Sequence, residues 1–221
     1  MNRSSDRSDD VLAVRLPRQQ RSREAWDRIL DAGVAIVEEG GYDAFTIAAV
    51  CERASVAPRA VYERVNTKDG LFLAVYERKI AVIEADRDEL FDVARWSDRG
   101  PREAVSMAVA AMVDTFAQHS AFLRSVILIS GVHSEIYRRG SVLARGLGEK
   151  FAEVLRPSIS ESHAVGRELA LRMAFDVAFS GLVIRTSYGP AFLGPEIDDG
   201  VFVSQLSGLV ANYVLESKAD V

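Results

Sequence analysis

Cysteine is nearly absent: Cys51 is the only one among 221 residues. That excludes an internal disulfide framework and a multi-cysteine zinc site. Histidine is scarce too, and His119, His133 and His163 are spaced too widely for a local metal clip. No Gly-x-Ser-x-Gly elbow, phosphate-binding Gly-x-x-x-x-Gly-Lys loop or His-Glu-x-x-His pair occurs. Gly146-Leu147-Gly148 starts like a dinucleotide loop, but Phe151 takes the place of the third glycine and no strand precedes it. An enzyme, a cofactor and a metal site are therefore not expected. The longest uncharged run, Gly200 to Leu215, is shorter than the roughly 20 apolar residues a bilayer requires. It also contains Ser204, Gln205, Ser207 and Asn212, and so reads as a buried helix. The opening MNRSSDRSDD lacks the apolar core of a signal peptide, and the expected location is cytoplasmic.

What is present is an ordinary globular composition, 48% hydrophobic and 27% charged, with a net charge of −5. The charge is uneven. Residues 1–68 balance cations and carboxylates, so the excess acid lies in 69–221. Arg15, Arg18, Arg21 and Arg23 form a basic run without a carboxylate. Such an arm ahead of a helical segment is one footprint of nucleic-acid binding, and equally an ordinary solvated face.

Apolar spacing is helical nearly throughout, with no convincing strand alternation. Trp26, Ile29, Leu30, Gly33, Val34 and Val37 mark a first helix that Gly40-Gly41 stops. Thr46 caps a second, with Ile47, Val50, Cys51 and Ala54 inward. A third is expected over Pro58–Val65, proline being tolerated in the first turn, and a fourth opens near Lys68. After a connector at 97–101, the next helix carries Val105, Ala108, Val109, Met112, Val113 and Phe116, and further helices are expected over roughly 121–137, 141–155, 162–187 and 198–217. The fold class is all-α. Its expected parts are a flexible basic arm (1–18), a three-helix helix-turn-helix unit (19–68) and a larger helical region (69–221).

Two short helices joined by the three-residue turn Ser55-Val56-Ala57 suit a helix-turn-helix, whose second helix offers its solvent face to the major groove. That face carries Pro58, Arg59, Ala60, Tyr62, Glu63 and Arg64. Arg59 is expected to reach a base edge, ideally guanine, while Tyr62 and Arg64 suit phosphate or groove-wall contacts. Glu63 either reads a cytosine amino group or faces a neighbouring arginine. Thr46 and Lys68 stand at helix N-termini, where free N–H groups attract phosphate oxygens. Cys51, on the inward face, reads as a small hydrophobe.

The stretch 28–79 resembles the N-terminal domain of TetR-family transcriptional regulators. The resemblance rests on the Gly40-Gly41-Tyr42-Asp43 loop, Thr46 opening the second helix, Ala54-x-Val56 at the turn, Val61-Tyr62, and Thr67-Lys68-Asp69. It implies phosphate contacts at Thr46, Tyr62 and Lys68 and base contacts at Pro58, Arg59 and Ala60. There are departures. Ser55 stands where glycine is preferred, Ala57 where a serine caps, Arg59 where glycine is common, Val65 for an aromatic and Cys51 for alanine. The turn and cap changes each carry a cost of about 1 kcal/mol. The unusual arginine implies an operator of the protein's own.

The same resemblance implies a C-terminal ligand-sensing domain whose last two helices form a homodimer bundle on double-stranded, palindromic operator DNA. Small residues Ala170, Ala174, Ala178 and Gly181, and Ser204, Ser207, Gly208 and Ala211, recur at helical spacing and would allow close approach. Packing within one subunit is the other explanation. Trp96, Met112, Phe116, Phe122, Met173, Phe175 and Phe179, with His119 as a polar group, are candidates either for a pocket taking a small, largely apolar effector or simply for the core. The expected function is a repressor released from its operator by that effector. The alternatives are a DNA-binding regulator of the same fold governed by a protein partner or serving an architectural role and, more distantly, an all-α enzyme or binding module.

Overall fold

The computed structural model describes residues 20–96, 99–159 and 164–216. Among these, all regular structure is helical: α1 (Gln20–Ala44), α2 (Ile47–Ala54), α3 (Pro58–Tyr62), α4 (Lys68–Leu90), α5 (Pro101–Gln118), α6 (Ser120–Ser130), α7 (Ser134–Leu155), α8 (Ala164–Tyr188) and α9 (Asp199–Glu216). Short 3-10 turns follow α4 at Val93–Trp96 and α7 at Arg156–Ser158. No described helix is long and apolar enough to cross a membrane. The basic-arm residues 1–18, including Arg15 and Arg18, and His163 lie outside the described residues.

Two compact units divide after Ile83, inside α4, rather than at 68/69 as the motif suggested. The reason is packing. Leu71, Phe72, Val75 and Tyr76 of α4 are buried in the same core as Trp26, Ile29 and Val37 of α1. Phe72 meets the Phe45 ring edge-on at 5.4 Å, and the Tyr42 ring likewise at 4.7 Å. A side chain on Gly33 would run into Val75, so glycine here lets α1 and α4 approach closely. The expected stop at Gly40-Gly41 takes the form of a break: Gly41 alone leaves helical geometry, with φ 68°.

In the second unit α5 packs on α7, α8 and α9, and α6 and α7 pack on α8. Its core contains Val105, Ala108, Met112, Phe116, Phe122, Phe151, Leu155, Phe175, Ala178, Val210 and Ala211. The break expected between 137 and 141 falls earlier, at 131–133. His133 Nδ1 accepts from the Ile136 amide as the cap of α7. Glu135 then holds Arg138 and Arg139 one turn on, which carries the helix through Gly140.

Candidate nucleic-acid interface

Thr46 is the N-cap of α2 in extended geometry, its Oγ1 accepting from the Ala49 amide at 3.1 Å. The hydroxyl hydrogen is left to donate outward. At the other end of α2, Ser55 adopts the left-handed conformation, φ 52°, and its N–H closes on the carbonyls of Cys51 and Glu52. It is the only described non-glycine residue with positive φ. Ala57 caps α3 with no side-chain hydrogen bond, and Pro58 occupies the first turn. Both departures thus fall where the turn needs glycine and a capping hydroxyl. A bidentate Arg53–Glu39 pair, both contacts 2.6 Å, ties α2 to α1. The hydrogen-bonded Arg53 guanidinium holds the Glu39 carboxyl below its ordinary range.

The regular part of α3 ends at Tyr62, earlier than expected, because Glu63 and Arg64 pass into a turn. Helical hydrogen bonding nevertheless runs on to Val65, whose N–H reaches Val61 O at 3.0 Å. Val61 and Val65 are buried; Pro58, Arg59, Tyr62 and Glu63 are exposed, and Ala60 is half-buried. Arg59 is the most open, its side chain 88% accessible, and its Nε donates to Glu63 Oε1 at 2.9 Å. That decides between the two expectations for Glu63: it faces the arginine. The pair uses one of five guanidinium N–H donors and leaves the others for a base edge.

Arg64 is a correction. It was expected to meet phosphate, yet it is only 6% exposed. Its Nη1 donates to Ala60 O and its Nη2 to Ser22 O, each at 2.9 Å, with a further bond from Nη2 to Ser22 Oγ. The guanidinium also lies 5.3 Å over the Trp26 ring. Both terminal nitrogens of the guanidinium are thus engaged within the unit, while its buried Nε has no hydrogen-bond partner. Lys68, at the start of α4, gives one donor to Tyr42 O at 3.0 Å and sits 3.8 Å over the Tyr42 ring. The Tyr42 hydroxyl in turn meets Asp69 Oδ1 at 2.5 Å, and burial with that carboxylate raises its pKa. Arg21 is exposed in the first turn of α1. Burial raises the Cys51 thiol above its ordinary range, which suits its role as a packing group.

The remaining candidates lie in the second unit. Phe175 bridges Phe151 at 5.9 Å and Phe179 at 5.3 Å, and Phe179 meets Phe116 at 5.6 Å. Met112 and Phe122 are fully buried, and His119 Nε2 lies 3.0 Å from Asp86 Oδ2. Trp96 stacks on Phe91 instead, ring centres 5.9 Å apart. Met173 is exposed. In the small-residue stripe, Ala174, Ala178, Ser207 and Ala211 are buried within their own subunit, the intramolecular alternative. Ala170, Gly181 and Gly208 are half-buried and Ser204 is exposed. The exposed apolar residues of the same helices are different ones: Leu169, Met173 and Val177 on α8, and Val201, Leu209 and Tyr213 on α9. Periodicity identified both helices; it did not say which face the core would claim. Among the described residues no group of three or more His, Cys, Asp or Glu could hold a metal.

A capped bracing helix, a three-residue turn and a second helix with an open polar face define a helix-turn-helix protein of the all-α class. Residues 29–75, within the first unit, match the family model of bacterial regulatory proteins, tetR family. Over 78 residues the chain is 37% identical to the HTH-type transcriptional repressor KstR of Mycobacterium tuberculosis, covering 35% of this chain and 36% of that one. It thus spans about a third of the curated relatives it matches. The fold extends further. A TetR-family regulator from Mesorhizobium loti superposes with TM-score 0.60 at 15% identity, covering 89% of this chain and 96% of that one. The regulator FadR of Bacillus subtilis, solved in complex with stearoyl-CoA, superposes with TM-score 0.56 at 14% identity, covering 87% and 100%.

Proposed function

We propose that the chain is a transcriptional repressor, acting in the cytoplasm as a homodimer that presents two copies of α3 to successive major grooves of a palindromic operator. The observation that carries this reading is the division of α3 into a buried side, Val61 with Val65 beyond it, and an open side carrying Pro58, Arg59 and Tyr62. Arg59 reads a base edge together with its neighbours Pro58 and Ala60. Thr46, Tyr62, Lys68 and Arg21 hold phosphates, which set position rather than sequence. The partner copy packs on the apolar faces of α8 and α9, whose exposed Leu169, Val177, Leu209 and Tyr213 are better shielded in a dimer than in water.

Release of the operator belongs to a small, largely apolar effector bound in the second unit. The cluster of Phe116, Phe151, Phe175 and Phe179 supports this, as does the buried His119 paired with Asp86 in the same unit; the Bacillus subtilis neighbour was solved with stearoyl-CoA. Such an effector must bind the released form more tightly, by about 1–3 kcal/mol. Selection of bound duplexes from a random pool tests the reading. Inverted half-sites centred about 34–36 Å apart, or a multiple of that, are expected. Failure to enrich any sequence would sink it.

A further inference from the structure

Arg64 is the one described arginine of the first unit withdrawn from solvent, and it joins segments 42 residues apart in the chain. Its guanidinium closes on Ala60 O of α3 at one end and on Ser22, in the first turn of α1, at the other, with the Trp26 ring beneath. A guanidinium is a rigid planar fork, so bonds from two nitrogens in different directions fix orientation as well as distance. The carbonyl of Ser22 has a second lone pair for this purpose, so the clamp does not break the helix. Arg21 immediately precedes Ser22 and is exposed. Arg59 lies one residue before Ala60. The clamp therefore spans from the neighbour of one operator-contacting arginine to the neighbour of the other.

Building on the duplex-binding reading above, we propose that Arg64 is a positioning residue: it locks the first turn of α1 to α3 and so sets the separation between the phosphate contact at Arg21 and the base contact at Arg59. It touches no DNA itself. Arg64→Met keeps a flexible apolar stem against Trp26 and removes every donor. Although no phosphate contact is deleted by it, this change lowers the salt slope of operator binding, because Arg21 loses its fixed position.

The test is a double-mutant cycle on the full chain, with a duplex that the wild-type protein selects from a random pool. In the wild-type background Arg21→Ala is expected to weaken binding about five-fold and to lower the salt slope by about one. In the Arg64→Met background the same change is expected to cost less than about two-fold and to leave the slope unmoved. A merely structural role for Arg64 would lower the folded fraction, followed by circular dichroism, but not the slope of the folded protein. Should Arg64→Met not fold, Arg64→Lys runs the same cycle, since it keeps charge and stem but not the fork. Equal losses on Arg21→Ala in both backgrounds overturn the proposal while leaving duplex binding intact. A wild-type protein that selects no duplex overturns the duplex-binding reading and this inference with it.

Discussion

Arg59 and Glu63 stand one helical turn apart on the open side of α3, joined through Nε and Oε1 at 2.9 Å. Exposed i,i+4 pairs of this kind add little to stability. On the proposed reading, the pair narrows the directions in which the guanidinium rests before it meets a base. Glu63→Gln removes the charge with little change in volume. If Arg59 reads a base, this change is expected to reduce discrimination at that base by about 1 kcal/mol and to raise affinity for unrelated duplexes, since one negative charge is lost from the exposed side of the helix. Competition binding with specific and unrelated duplexes checks both. Unchanged discrimination would leave Glu63 as a passive neighbour.

The turn between α2 and α3 carries two correctable local costs. Ala57→Ser would supply the missing cap and is expected to stabilise the first unit by about 1 kcal/mol. Ser55→Gly relieves the left-handed conformation at φ 52° and is expected to add about 0.5–1 kcal/mol. Urea denaturation followed at Trp26, buried in that unit, reads these shifts. Destabilisation by Ser55→Gly would mean that the serine hydroxyl contributes more than the conformation costs.

The exposed apolar residues of α8 and α9 lead to a sharp contrast between adjacent positions. Val177→Glu or Leu209→Glu places a charge on the open face and is expected to give folded monomers by sedimentation velocity. Ala178→Glu, at a site with 0% exposure, is expected instead to unfold the second unit, because the new charge has nowhere to go. A dimer that survives both exposed changes would move the interface elsewhere.

Much of the first unit was legible because its signals are local. Thr46 as a cap, Pro58 at a first turn and glycine at position 41 act over a few residues, and each appears in the structure as expected. Arg64 was not legible. Its position on α3 suggests a phosphate contact, and only the return of Ser22 to the same corner, 42 residues away in sequence, turns it inward. The same holds for the small residues of α8 and α9. Ala178 and Ala211 mark where helices come close, and spacing alone is silent on whether the close neighbour is the same chain or another. Met173, grouped with the aromatics by size and period, is exposed because the neighbouring Ala174 and Phe175 take the inward face. The division of α4 between units follows from Gly33, whose lack of a side chain admits Val75, a long-range fit with no local signature.

On the proposed reading the open side of α3 reads bases through Arg59. Affinities of the wild-type protein and Arg59→Ala for the selected duplex and each of its single-base variants test it most directly. The expected result is a loss of about 1–3 kcal/mol on the selected duplex, with relaxed preference confined to one symmetric pair of positions. An equal loss on every sequence, or none at all, would contradict it.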